Sequence, residues 1–501
     1  MSDQISTDPS ILEKKDKAQL SAIVTALGGK PSSKHTKADL VAEIQKLSGE
    51  ELSADQDDSS DADSSGDSGE ETSDDVDGDS ASDSQDSSVD PANSRYSKGR
   101  RGKKTPRSEA GNDQVSDKLE KVSGFLDLRD EGYGFLRVAG FLPSKDDVYV
   151  SVKQVRQLEL RRGDHLTGEA STPHRNEKNP SFTNIETVNG SRPEDAASRP
   201  KFEELTPVSP NQQIVLESDS DNDALTNRVI DLVAPIGKGQ RAVVSGPSKS
   251  GRTSLVAEMA CAVEKNYSEM SVLILAIGAQ PEEVTYLRSR LTEGEVIASA
   301  FDRTIEEHIA TAELTLERAK RMAEKGEDVF IVLDSLTDLS KAYIANFVNN
   351  SRSSAASVEL PALEPLRQLL GSAAKLDEAG SVTLVSVMTD SIFGADYPDS
   401  LIYSELSRHA NCEIVLAEPD GASGSTEPVI DIASSRTSWV EYMLDEDDVE
   451  AMSKLRDLVA KADSEAESED QTGYAQLIEL IDSKGTNAEV LAHGAKKDSL
   501  S

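Results

Sequence analysis

The stretch Ala242-Val-Val-Ser-Gly-Pro-Ser-Lys-Ser-Gly-Arg-Thr253 decides the fold. Ala242 to Ser245 reads as a strand, Gly246 and Gly251 stand in GxxxxG spacing, and a helical stretch opens behind them. Strand, glycine loop and helix N-terminus in that order form the context of a phosphate loop, in which backbone amides and the helix end surround an anion. Gly246, Lys249, Ser250, Gly251, Arg252 and Thr253 are the candidate nucleotide-binding residues. The position after the second glycine, usually Lys, is Arg252. Arginine keeps the charge but is longer and planar, so the exchange is not conservative at a close phosphate site. Lys249, inside the loop, is a candidate to compensate. Thr253 retains a hydroxyl for Mg²⁺.

Downstream, from about 225 to 445, apolar β-type runs alternate with helical stretches. Val272 to Ile277, Val329 to Leu333 and Val382 to Val387 repeat the rhythm that Ala242 begins, which predicts an α/β domain on a largely parallel sheet. Val329-Phe-Ile-Val-Leu-Asp334 is an apolar strand ending in an acid. Its place after a phosphate loop favours Asp334 as a Mg²⁺-holding carboxylate, through water, over an incidental strand-end Asp. A helical, charge-rich region over 446–501 follows.

Upstream, residues 118–195 change period. Val122 to Leu128 and Tyr133 to Val138 alternate, and Val148-Tyr-Val150 follows a turn signal at Pro143 to Asp147. Short strands with turn signals every ten or so residues predict a small β-barrel. In Glu131-Gly-Tyr-Gly-Phe-Leu-Arg137, side-chain alternation puts Tyr133, Phe135 and Arg137 on one strand face. Two aromatics and a cation form a stacking platform for bases, and Gly134 is expected to leave room for a flat ligand. Tyr149, beside Asp146 and Asp147, adds an aromatic and acceptors. Tyr133 and Phe135 as fillers of the barrel core remain the alternative.

The N-terminus is organised differently. Residues 10–48 read as two helices, the first carrying Leu20, Ile23, Val24 and Leu27 and ending at Gly28-Gly29, the second opened by the capping pattern Thr36-Lys-Ala-Asp39. From Ser48 to Ser94 there is no Lys or Arg; Ser, Asp, Glu and Gly dominate, and such a segment cannot bury enough apolar surface to order itself. The basic run Arg95, Lys98, Arg100, Arg101, Lys103, Lys104 and Arg107 comes next. It is either a flexible arm for RNA phosphates, with the acidic run competing for it, or a solvated linker.

The formal net charge of -39 repels polyanions at long range, so nucleic-acid contact must come from a local surface. Cys261 and Cys412 lie far apart in apolar surroundings, and the six His residues lack ligand spacing. The start MSDQIST has no signal character and no run approaches a membrane span, so a cytoplasmic protein with no membrane partner is expected.

Gly132-Tyr-Gly-Phe-Leu-Arg137 followed by Asp146-Asp-Val-Tyr-Val-Ser151 resembles the cold-shock-type RNA-binding domain of the Rho family of bacterial transcription termination factors. In that family a Phe-Gly-Phe motif stacks cytosine-rich single-stranded RNA. The resemblance carries over to Tyr133, Phe135, Arg137, Asp147 and Tyr149. The α/β part is similar too: Leu225 to Arg241, the phosphate loop, Pro281-Glu-Glu-Val-Thr285, Gly294 to Asp302 and Leu333 to Tyr343 follow in the family's order. The implied fold is multidomain α+β and α/β. An N-terminal helical hairpin (1–48) and an acidic-basic insert (49–117) precede an oligonucleotide-binding or cold-shock-type barrel (118–195). A RecA-type phosphate-loop domain (196–445) and the helical tail (446–501) complete it. The implied ligands are single-stranded RNA, ATP and Mg²⁺. The implied assembly is a homohexameric ring, or co-assembly with an active Rho, in contact with RNA polymerase in the elongation complex.

The departures are specific. Rho has Asp-Glu-Arg before its Pro-Glu-Glu-Val, with the Glu activating the attacking water; here stand Gly278, Ala279 and Gln280. A general base contributes about 10²–10⁴-fold. The arginine that reaches a neighbouring subunit's nucleotide aligns to Ser438, with Arg436 two residues away. The adenine-stacking segment reads Ser425-Thr-Glu427, and Asp338 replaces an Arg. The loop from Asp390 to Ile402 has no Lys or Arg, and Ala355-Ala-Ser-Val358 replaces a glycine-rich channel loop. Together these predict weak or absent ATP-driven translocation. Three functions compete: a working terminator, a hydrolysis-deficient RNA-binding paralogue, and an interaction protein whose barrel has lost RNA.

Overall fold

The computed structural model describes residues 119–173, 178–218, 225–350, 360–389, 399–417, 428–466 and 472–494, with Leu20 and Val24. The chain divides into two compact units, Met1–Ser108 and Glu109–Ser501. In the first, Leu20 and Val24 are helical and buried. The rest of the expected helical hairpin, and the acidic and basic runs, lie outside the described residues.

Strands β1 (Leu119–Leu128), β2 (Gly134–Arg137), β3 (Val148–Val150), β4 (His165–Ser171) and β5 (Ser181–Val188) close a barrel in the order β1-β2-β3-β5-β4. Its core is Leu126, Leu136, Val148, Val150, Leu166, Phe182 and Val188. Because side chains alternate, Phe135 and Tyr149 stand on the other side of the strands from Leu136, Val148 and Val150. Tyr133 and Phe135 are half-buried and do not belong to the barrel's core cluster. Gly134 is a correction. A Cβ there would sit 2.7 Å from Leu126 Cδ1 and 3.1 Å from Leu128 Cδ2, so the glycine makes room for the barrel interior and not for a ligand.

The second layer is a nine-stranded sheet, of which the short strands Pro207–Val208 and Ala374–Leu376 lie off the main path. Its path is β8 (Glu295–Ser299), β7 (Ser271–Ile277), β9 (Asp328–Asp334), β10 (Ser381–Thr389), β6 (Arg241–Gly246), β11 (Cys412–Val415) and β12 (Arg436–Thr437). All neighbours from β8 to β11 are parallel, and β12 is antiparallel. The strands read as unbroken apolar runs because both faces are covered. Ala242, Val244, Ile274 and Val332 pack on one side; Val243, Leu275, Ile331 and Leu333 pack on the other.

Helix α1 (Leu225–Val233) leads into the sheet, and α2 (Arg252–Asn266), α3 (Pro281–Arg290), α4 (Ile305–Glu324) and α5 (Leu336–Asn350) follow strands β6 to β9. The tail forms α6 (Glu446–Glu465), α7 (Gly473–Ser483) and α8 (Asn487–Gly494), packed back on the first face. Arg456 ties α6 to the end of α1 and to the turn before β12 through the carbonyls of Val233, Ile432 and Ser435. No helix among the described residues is long and apolar enough to cross a membrane.

The barrel is docked on α4. Gly163, at φ +84°, turns against the helix so closely that a Cβ would lie 2.4 Å from the Glu317 backbone carbon. Arg199 pairs with Asp164 at 2.7 Å, and Arg161 with the buried Glu324 at 3.0 Å. Arg318 on α4 lies over the Phe125 ring at 5.6 Å.

Candidate functional site

Two candidate surfaces follow from these elements. The first is on the barrel. Register sets Asp127 on β1 opposite Phe135 on β2, and Phe135 opposite Tyr149 on β3. Residues directly opposite share a face, so the three stand in a row, with Tyr133 and Arg137 two residues either side of Phe135. The rings of Tyr133, Phe135 and Tyr149 form a triangle, with centroids 5.8 Å, 5.7 Å and 6.2 Å apart. Tyr133 and Phe135 are edge-on at 84°, so two ring planes meet at a near right angle beside a third. All three are half-buried.

Arg137 does not extend this surface as a free cation. It is buried, and its guanidinium is held between the Asp127 and Asp147 carboxylates. Its carbon centre lies 5.9 Å from the Phe135 ring. Asp147 is buried as well, and accepts from the Ser144 hydroxyl at 2.7 Å and the Ser144 N–H at 3.0 Å. The pair backs the aromatic row. Asp127, which sequence reasoning did not single out, completes it. Its signal was position: an acid on the ring-bearing face of a strand with apolar alternation.

The second surface lies at the carboxyl ends of the parallel strands, where open α/β sheets bind ligands. Gly246 ends β6. A Cβ on it would meet Leu416 Cβ at 2.8 Å and Ser250 Oγ at 2.9 Å. Gly251, at φ +83°, caps α2. Lys249 is exposed at the crest of the loop, also at positive φ. The buried Ser250 hydroxyl has no partner among the described residues. Thr253 donates its hydroxyl to Asp334 Oδ2 at 2.7 Å, so the two Mg²⁺ candidates meet. An orphaned hydroxyl at the start of a helix and a Thr–Asp pair beside it fit a phosphate with its metal.

Arg252 is turned away from the loop. Its Nη1 donates to the Met388 carbonyl at 2.7 Å and to Thr389 Oγ1 at 3.2 Å, at the end of β10. Burial pulls the guanidinium below the usual arginine range, against the pull of Asp334, Asp338 and Asp399. Burial pushes the Asp334 carboxyl up; the Thr253 hydroxyl and Arg252 oppose this, and Glu283 and Asp338 add to it. Asp399 and Glu283 thus belong to the site's field, and neither was singled out in the sequence.

Ala279 is packed against the apolar core, and its carbonyl accepts from the Phe301 N–H at 3.1 Å. Gln280 is spent on capping α3, its N–H bonded to Glu283 at 2.8 Å. Asp338 is exposed and accepts from the Ser335 hydroxyl at 2.6 Å. Ser438 is exposed beside Trp439, and its N–H is bound to the Asn411 carbonyl at 2.9 Å. Arg436 pairs with Glu413 across β11 and β12 at 3.1 Å. Residues 351–359, 390–398 and 418–427, which carry the channel-loop and adenine-segment readings, lie outside the described residues.

Family models match the stretches of chain that carry the two surfaces. Residues 122–194 match the Rho termination factor RNA-binding domain, and residues 226–437 match the nucleotide-binding domain of the ATP synthase alpha/beta family. The chain is 37% identical over 371 residues to transcription termination factor Rho of Mycobacterium tuberculosis, covering 73% of this chain and 60% of that protein. It is 38% identical over 338 residues to Rho of Streptosporangium roseum, covering 68% and 84%. Against Rho of Pseudomonas aeruginosa it is 36% identical over 349 residues, covering 69% and 82%. The chain thus spans about 60% of the length of the mycobacterial relatives that it matches.

Proposed function

The chain belongs to the Rho family of transcription termination factors, and on that premise we propose that it is a Rho-type termination factor that binds nascent single-stranded RNA and works with a weakened motor. The observation that carries this is the triangle of Tyr133, Phe135 and Tyr149 on the barrel's outer face. Every base has a π-face, so such a platform stacks successive bases at about 1–3 kcal/mol each. Tyr133 keeps that capacity where the family has Phe. Arg137 and Asp147, paired and buried behind the rings, set the platform.

ATP with Mg²⁺ is the proposed ligand of Gly246, Lys249, Ser250, Gly251 and Thr253, and of Arg252 through its backbone at the helix start, with Thr253 and Asp334 toward the metal. Mg²⁺ supplies charge neutralisation at the phosphates when bound. The chain's own residues do the rest: the glycine loop and helix end receive the phosphates, and Arg252 stays with β10. No carboxylate stands at Ala279 to take a proton from water, and Ser438 offers no cation to a neighbour. A hydrolysis-deficient paralogue that binds RNA, or co-assembles with an active Rho, is the second reading, favoured by the apolar packing of Ala279. Both readings place the protein in the cytoplasm, in a ring and near RNA polymerase.

The test pairs two measurements on the full chain. C-rich RNA binding at low salt, lost on Tyr133→Ala and Phe135→Ala, is expected; its absence would sink both readings. RNA-stimulated ATP turnover above about 0.1 s⁻¹, well below typical enzyme turnover, would eliminate the paralogue.

A further inference from the structure

A chain of charged contacts runs from the base platform into the nucleotide-binding domain. Arg137, behind Phe135, is held by Asp147 and Asp127. The second oxygen of Asp127 accepts from Arg162 Nε at 3.0 Å. Arg162 Nη1 then donates to Glu313 Oε2 on α4 at 2.9 Å. The other oxygen of Glu313 accepts from the Tyr343 hydroxyl on α5 at 2.9 Å. Each carboxylate in the middle of this chain therefore divides its two oxygens between neighbours from different elements. The barrel end is nearly closed to water, with Arg137 and Asp127 side chains 4% and 5% exposed, so those contacts are little screened. Tyr343 is buried in the α/β core, and its helix α5 opens two residues after Asp334.

This arrangement does more than dock the barrel. Docking is already served by Gly163 against Glu317 and by Arg199 and Arg161 with Asp164 and Glu324. The Arg162 chain instead ends on the carboxylate that fixes Arg137, and Arg137 lies against Phe135. We propose that Arg162, Glu313 and Tyr343 are positioning residues for the base platform, so that helices α4 and α5 of the nucleotide-binding domain set how Phe135 and Tyr149 receive a base. This rests on the platform being an RNA site. Glu313 holds Arg162, Arg162 holds Asp127, and Asp127 with Asp147 holds the guanidinium behind the ring. Release of any link frees Asp127 to rotate and lets Arg137 shift under Phe135. A movement of α5, which begins at the Asp334 end of its strand, reaches the platform by the same route.

The test uses the full chain and a C-rich RNA oligonucleotide carrying one fluorescent cytosine analogue, which is quenched when stacked on an aromatic ring. Arg162→Met, Glu313→Gln and Tyr343→Phe are compared with the parent and with Phe135→Ala. Arg162→Met is expected to raise the Kd by about three- to tenfold, and Tyr343→Phe by about two- to threefold, a fraction of the roughly tenfold or more that a hydrogen bond to a charged group is worth, because both act on the platform through intermediate contacts. Quenching at saturating protein should fall in all three, with partial rescue by Arg162→Lys. That signal reads only bound RNA, so a loss of stability alone would leave it unchanged. Parent-like Kd and quenching in the three variants, with binding weakened by Phe135→Ala, would overturn the inference and leave the platform standing. No effect of Phe135→Ala would overturn the platform and the inference with it. Should Arg162→Met fail to fold, Tyr343→Phe, which removes one hydroxyl, decides the matter.

Discussion

The barrel face and the phosphate-loop face have the same kind of frame and different fates. On the barrel, the surface is made by one short strand and its neighbour, and register alone brings Tyr133, Phe135 and Tyr149 together. At the sheet's carboxyl end, the groups must converge from β6, β7, β9, β10 and the far edge of the domain. Thr253 and Asp334 still meet, while Ala279 is apolar, Arg252 faces β10 and Ser438 is neutral. Stacking tolerates exchange of one ring for another because it uses a whole π-face. General-base and finger chemistry depends on single atoms, so on the proposed reading each substitution costs its whole contribution. A site read by surfaces therefore outlasts a site read by points.

The strongest way to break that contrast is to restore the points. The triple variant Arg252→Lys, Ala279→Glu, Ser438→Arg should raise RNA-stimulated ATP turnover by about 10²–10⁴-fold if the base, the loop cation and the finger are what is missing. A steady-state assay with and without poly(C) measures it, and no gain would mean that the frame itself is impaired. Removing the surface comes next. Phe135→Ala should weaken C-rich RNA by about 1–3 kcal/mol, read by fluorescence anisotropy, with ATP binding unchanged. Equal loss in both ligands would mean misfolding.

Gly134→Ala sharpens the comparison within the barrel. Its Cβ would press on Leu126 and Leu128, so we expect a loss of about 1–3 kcal/mol in chemical denaturation and unchanged RNA affinity per folded molecule. Weaker RNA binding at full stability would restore the glycine to the ligand face. The smallest effect concerns pH. The ligating form of Asp334 is the carboxylate, and burial raises its pKa, so protonation starts at a higher pH than for an ordinary Asp. Mg²⁺-dependent ATP affinity should fall on acidification, beginning at a higher pH than an ordinary Asp would give, by no more than about tenfold per pH unit, the limit for one proton. Asp334→Asn should remove that slope in calorimetric titrations.

Local pattern carried much of this. The GxxxxG loop between strand and helix, the acid closing Val329 to Leu333, and the same-face pairing of Tyr133 with Phe135 all depend on near neighbours in sequence. What escaped depends on distant ones. The partners of Arg137 are ten residues away on either side, across a barrel whose register no single strand specifies. The direction of Arg252 is set by carbonyl and hydroxyl groups at Met388 and Thr389, on a strand far along the chain. Gly134 was misassigned because alternation gives the face of a residue without saying which side chains crowd it. Arg162 sits in an ordinary turn, and its meaning comes from Glu313 on a helix of another domain.

The turn at Gly163 has a mechanical consequence. With room for no more than a hydrogen at its Cα, and with the Glu317 backbone pressed against it, any side chain at 163 would wedge the barrel away from α4. Gly163→Ala would therefore act as a spacer between the two domains, pushing the barrel outward while leaving the rings of Tyr133, Phe135 and Tyr149 as they are.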